Sequence, residues 1–205
     1  MIKVHCVTVG LLAENCYLVH EDDRNDAVVI DPGDDGEAIN AALTAYGLTP
    51  AAVLVTHGHF DHVNAANMLA RRGCKIYMSQ ADEPLIRTDM NMGTLMGGKF
   101  VPFEPDVYVR DGDVIDECGM KFRVMATPGH TIGGVCYICD EDKTVFTGDT
   151  LFCLGIGRSD LPTGNGRELE ASVRKLYALD GDYTVYPGHG ERTTLEYERK
   201  YNPYV

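Results

Sequence analysis

Basic residues are scarce in this 205-residue chain: 18 Lys and Arg stand against 31 Asp and Glu, giving a formal net charge of -13. Nucleic-acid binders gain most of their affinity from clustered cations, so no nucleic-acid partner is expected. Long apolar runs are also missing. No segment approaches the roughly 18 apolar residues that a membrane helix needs. The start, Met1-Ile2-Lys3-Val4, enters a strand-like alternation with none of the charged and apolar regions of a secretion signal. A cytoplasmic protein without membrane partners is therefore expected. No linker, low-complexity tract or repeat divides the chain, and 44% hydrophobic composition suffices for a sizeable core, so one domain over residues 1–205 is the expectation. The seven cysteines, at 6, 16, 74, 118, 136, 139 and 153, are odd in number and scattered, which argues against a disulfide framework and for buried thiols. Cys136-Tyr137-Ile138-Cys139 has redox-like spacing, but its alternation reads as a strand rather than the helix start that activates a thiol.

What is present is a succession of short β-like runs, at residues 3–9, 15–19, 27–30, 52–55, 75–78, 107–109, 121–125, 135–139, 144–147 and 184–186. Helical periodicity occupies 37–46, 64–72 and 167–179, the last opened by a capping-box-like Asn165 with Glu168. Ten or more short strands overfill one open sheet of ordinary size, so two packed sheets with helices outside them is the economical layering. The Met- and Gly-rich stretch 90–103 reads either as a lid beside a pocket or as an ordinary loop packed by Met90, Met92 and Met96.

Five of the seven histidines fall into small clusters that each follow a predicted strand and contain glycine: His57-Gly58-His59-Phe60-Asp61-His62, Pro128-Gly129-His130 and Pro187-Gly188-His189. Gly148-Asp149-Thr150 shares that context. Side chains on turns just past strand ends, where glycine permits close backbone approach, can converge at one sheet edge. His57 and His59, two apart in an extended segment, point to the same side. Asp61 and His62 are expected to open a helix running past Leu69, whose positive end favours the carboxylate and the neutral, metal-binding imidazole. Imidazoles and carboxylates without paired thiolates suit zinc, iron or manganese, with an open position for water. His5 and His20 lie outside this context and read as structural.

The set His57, His59, Asp61, His62, His130, Asp149 and His189 resembles the metallo-β-lactamase superfamily over essentially the whole chain. The resemblance implies an α/β (α+β) fold, an αββα sandwich of two mixed sheets flanked by helices, with metals at the common sheet edge. It implies that His57, His59 and His130 hold one divalent ion, that Asp61, His62 and His189 hold a second, and that Asp149 bridges them. Zinc is the first expectation for both ions, with iron or manganese as alternatives. Asp31, in Asp31-Pro32-Gly33, looks like the superfamily's early acidic turn, which supports the ligands through hydrogen bonds; a plain β-turn is the alternative.

Thr147-Gly148-Asp149-Thr150-Leu151-Phe152, the segment Gly155-Ile156-Gly157-Arg158-Ser159-Asp160-Leu161-Pro162, and Glu198-Arg199 with Asn202-Pro203 look like the glyoxalase II group and its short relatives. The resemblance implies hydrolysis of small anionic thioesters, such as hydroxyacylglutathione, by a metal-bridging hydroxide, with Asp61 as ligand and catalytic hydrogen-bond acceptor. Two divalent ions less the charges of Asp61, Asp149 and hydroxide leave about +1 to attract an anion. Arg158 is a candidate substrate anchor, or a structural partner of Asp160. True β-lactamases usually lack an Asp at the position of Asp149. Glyoxalase II proper carries a glutathione-holding helical domain after the last metal histidine, whereas 16 residues follow His189 here. Two rivals stand beside this reading: a persulfide dioxygenase-like enzyme with one iron on His57, His130 and Asp149, and a non-catalytic metal-binding scaffold.

Overall fold

A computed structural model describes residues 1–96 and 100–205. The first sheet contains β1 (Ile2–Val9), β2 (Glu14–Glu21), β3 (Asp26–Ile30), β4 (Thr49–Leu54), β5 (Lys75–Ser79) and β6 (Val107–Val109), in that spatial order. Its first three strands are antiparallel neighbours, and β3 to β6 run parallel. The second sheet begins with β7 (Val114–Glu117), β8 (Met120–Ala126), β9 (Val135–Cys139) and β10 (Thr144–Gly148). A two-stranded ribbon, β11 (Leu151–Phe152) with β12 (Gly155–Ile156), follows. The chain then completes the second sheet with β13 (Thr184–Pro187) and β14 (Thr193–Thr194), in the order β14-β13-β10-β9-β8-β7.

Period-2 alternation distributes the apolar residues over three layers. In β2, Cys16 and Leu18 face outward, whereas Tyr17 and Val19 join Phe122, Tyr137 and Phe146 between the sheets. The outer face of the first sheet is covered by α1 (Gly36–Tyr46), through Ile39 and Leu43, and by Leu69. On the second sheet, Val173 and Leu176 of the later helix 166–177 cover Ile138, Val145 and Val185. Strands covered on both faces need no polar side, which is why β9 and β10 are buried at every position. The expected αββα sandwich is what the chain forms.

All ten expected strands are present, most longer by a residue or more at one end; β7, β11, β12 and β14 are additional. The expected helix at 64–72 is instead two pieces, α2 (Phe60–Val63) and α3 (Ala66–Ala70). The Ala65 amide donates to the carbonyls of Pro32 and Gly33, at 3.0 and 2.6 Å, so it is withdrawn from the ladder that would join the pieces. Asp61 and His62 thus sit in a one-turn helix with little macrodipole, which corrects the expected basis of their electrostatics. The chain continues through α4 (Glu83–Arg87), α5 (Gly166–Tyr177) and α6 (Leu195–Tyr201). Asn165 caps α5 as expected, accepting from the amides of Arg167 and Glu168. All seven cysteines are free, and Cys136 and Cys139 face opposite sides of β9, so they cannot act as a pair. Burial pushes the Cys136 thiol up to about 11.

Candidate metal centre

The loops that leave β4, β8, β10 and β13 open at one edge of the sandwich and carry the seven predicted ligands. His57, His59 and His130 each offer a ring nitrogen within a 4.8 Å cluster; Asp61, His62 and His189, and likewise His57, His62 and Asp149, form such clusters from ring nitrogens and a carboxylate oxygen. Asp149 lies between the two histidine groups: its Oδ2 is 3.4 Å from His130 Nε2, and its Oδ1 is 3.3 Å from His62 Nε2 and 3.7 Å from His189 Nε2. Asp61 Oδ2 is 3.3 Å from His189 Nε2. His59 joins through Nδ1, 2.9 Å from His130 Nε2. Glycine makes the approach possible, since a Cβ at Gly188 would collide with Asp149 Oδ1 and His62, and one at Gly148, whose φ is +48°, with Thr56.

Hydrogen bonds behind the rings decide which nitrogen faces inward. His130 Nδ1 donates to Arg158 O at 2.7 Å, and His189 Nδ1 donates to Leu12 O at 3.1 Å. His62 Nδ1 donates to Asp31 Oδ2 at 3.0 Å. The Thr56 hydroxyl gives its only proton to the same oxygen at 2.6 Å, so it must accept from His57 Nδ1 at 3.1 Å. In all four rings Nδ1 is therefore the nitrogen that keeps a proton, and Nε2 is the one that faces inward and is left to bind a cation in the neutral ring. The Nε2 atoms of His57 and His62, and Asp149 Oδ1, are buried without a hydrogen-bond partner. Orphaned acceptors that converge on one point are what a pair of cations requires, and the donor set of nitrogens and carboxylate oxygens fits divalent ions.

The titration pattern has the same origin. Burial, reinforced by the neighbouring histidines, drives His57 well below the usual imidazole range and His59 down to about 3. At His62 burial again opposes the charge, but Asp149, Asp61 and Asp31 outweigh it and raise the value. His189 is raised likewise, by Asp61 and Asp149 against burial. Burial opposes ionisation of Asp61 and Asp149, yet the facing histidines hold both carboxyls below their normal range.

Asp31 accepts from Thr56 and from His62 Nδ1, and its backbone has the left-handed φ of +48°. Arg158 serves the site through its carbonyl, while its exposed guanidinium pairs with Asp160 at 2.7 and 2.8 Å. Arg158 is also one of the residues around a cavity of about 310 Å³ over the cluster, walled by Leu12, Phe60, Met92, Met96 and Leu161. Met92 and Met96 of the 90–103 stretch thus reach the site, Phe103 is anchored in the core, and the part at 97–99 lies outside the described residues. His5 and His20 pair with each other, Nε2 to Nε2 at 3.2 Å.

Sequence reasoning missed three contributors: Thr56, Glu14 and Asp82. Glu14 is fully buried, 3.8 Å from His62 Nδ1, and burial raises its carboxyl well above the usual range. Asp82 is fully buried beneath the loop 57–59. Thr56 and Asp82 each lie just past a strand end, the context that singled out the histidines, and a search of that context for any polar residue finds them.

The profile of the metallo-beta-lactamase superfamily matches residues 9–189, and the chain belongs to that family. It is similar to the hydroxyacylglutathione hydrolase GloC of Haemophilus influenzae, 34% identical over 209 residues that cover 100% of this chain and 98% of the relative. Among solved structures it resembles TTHA1623 in a di-iron-bound form, with a TM-score of 0.90, 37% identity, and coverage of 98% of this chain and 100% of that one. It also resembles the B3 metallo-beta-lactamase BLEG-1, with a TM-score of 0.92, 33% identity, and coverage of 99% and 98%.

Proposed function

We propose that this protein is a binuclear metallo-hydrolase that cleaves small anionic thioesters of the hydroxyacylglutathione kind. The observation that carries the reading is the placement of Asp149, with one carboxylate oxygen toward His130 and the other toward His62 and His189. A carboxylate set between two ligand groups suits two ions rather than one. His57, His59 and His130 would hold the first ion, Asp61, His62 and His189 the second, and Asp149 both. The nitrogen and oxygen donors favour zinc, with iron or manganese as alternatives; the di-iron form of TTHA1623 supports iron in a related chain. Bound ions would supply Lewis acidity toward the thioester carbonyl and acidify the attacking water.

The protein's own groups complete the chemistry. Asp61, kept ionised by His62 and His189 despite its burial, accepts a hydrogen bond from the attacking water through Oδ2 and orients it. Leu12, Phe60 and Met92 shield the reacting carbonyl from bulk water. The full-length likeness to GloC supports the thioester class, and the free thiols suit a reducing, cytoplasmic compartment.

Elemental analysis of the purified protein, with parallel assays on lactoyl-glutathione, other thioesters, glutathione persulfide and a β-lactam, tests the reading. Two metal equivalents and thioester cleavage without oxygen uptake are expected. One iron with oxygen uptake on the persulfide would instead establish the dioxygenase, and an intact two-metal site inert toward the whole panel would establish the scaffold.

A further inference from the structure

We propose that Asp82 is the positioning residue that assembles the first metal site, by clamping together the two loops that bring its three histidines from different sheets. The inference rests on the two-metal reading. His57 and His59 leave the first sheet at the end of β4, whereas His130 lies between β8 and β9 of the second. One backbone bond joins the two loops at their base, where the Val135 amide donates to Thr56 O at 2.9 Å, and their outer parts are left for a side chain to hold. Asp82, in the turn after β5, reaches both.

Its Oδ2 accepts from the Gly58 amide at 2.9 Å, midway between His57 and His59, and from the Thr131 hydroxyl at 2.8 Å, next to His130. Its Oδ1 accepts from the Gly133 amide at 2.6 Å. The carboxylate is fully buried and each oxygen is claimed by a backbone donor that cannot rotate away. Tyr137 Oη, which donates to Val55 O at 2.7 Å, joins the sheets further down, so the sandwich does not depend on Asp82 alone. The clamp acts on the loop tips, where the metal-facing nitrogens are set.

The isosteric Asp82→Asn tests this sharply. Whichever way an amide rotates, its NH2 faces a backbone N–H, at Gly58 or at Gly133, and one loop is pushed off. Expected is a 10–100-fold loss of affinity for one of the two metal equivalents, measured with zinc against a competing chelator, while the other equivalent stays within a few-fold of wild type. Thr131→Val removes one donor and leaves both backbone bonds, so a loss of about tenfold or less at the same equivalent is expected. In cobalt-substituted protein the visible spectrum of one ion should change and the other persist. Circular dichroism and the melting temperature of the metal-free variants report the fold. If folded Asp82→Asn binds both equivalents like wild type, or loses both equally, the clamp is refuted. A wild-type protein that binds no second equivalent overturns the binuclear reading itself, a different result.

Discussion

Replacing Asp31 with Asn alters one atom in the hydrogen-bond relay behind the rings, and the consequence can be followed proton by proton. Asp31 Oδ1 accepts from the Thr56 amide at 2.7 Å, and its Oδ2 accepts from the Thr56 hydroxyl at 2.6 Å and from His62 Nδ1 at 3.0 Å. The backbone amide can only donate, so in Asp31→Asn it holds the side-chain oxygen on its own side and places NH2 where Oδ2 was. His62 Nδ1 must then accept, and its proton moves to Nε2, the nitrogen aimed at Asp149. The Thr56 hydroxyl now accepts from the amide and turns its proton toward His57 Nδ1, 3.1 Å away, which moves that proton to Nε2 as well. One substitution thus blocks a ligand nitrogen in each site. Supporting partners of metal-bound histidine typically contribute a factor of 10–100, about 1.4–2.7 kcal/mol, so each equivalent should weaken by that much. Thr56→Val keeps the His62–Asp31 bond and deletes only the acceptor of His57, so it should weaken one equivalent alone. Equilibrium dialysis against a graded chelator, followed by elemental analysis, reads both, with apo melting curves as the control for folding. Asp31→Asn with two equivalents held as tightly as in wild type would refute the relay.

Three further outcomes are expected. Asp149→Asn removes the shared carboxylate and should lower kcat on any thioester substrate by on the order of 10³, several kcal/mol of charge stabilisation, with metal content below two equivalents; full activity in that variant would remove the basis of the two-ion reading. Because His62 and His189 are raised above the usual imidazole value in the metal-free protein, protons still compete for them at neutral pH, so metal affinity should rise with pH through the neutral region. Calorimetry in buffers of different ionisation enthalpy should detect proton release on binding, and affinity independent of pH would contradict the assignment. Tyr137→Phe deletes a buried bond between the sheets and should cost about 1–2 kcal/mol, a fall of roughly 2–8 °C in melting temperature, with metal stoichiometry unchanged.

Local pattern decided a good deal about this protein. Alternation of apolar residues marked all ten expected strands, because a residue's face in a strand depends only on its neighbours, and β9 and β6 appear with the boundaries read from the sequence. The seven candidate ligands were legible because each belongs to a short glycine-containing cluster that follows a strand, where chemistry is commonly placed. Tertiary structure decided what depends on segments far apart in the chain. The break at Ala65 is caused by carbonyls of Pro32 and Gly33 that local periodicity cannot register. The ring tautomers are set by Asp31, Thr56, Arg158 O and Leu12 O, each brought up from a different loop. Asp82 stands just past a strand end like the histidines, but the partners of its carboxylate, Gly58, Thr131 and Gly133, come from two distant loops, and the burial of Glu14 beside His62 likewise exists only in the folded chain.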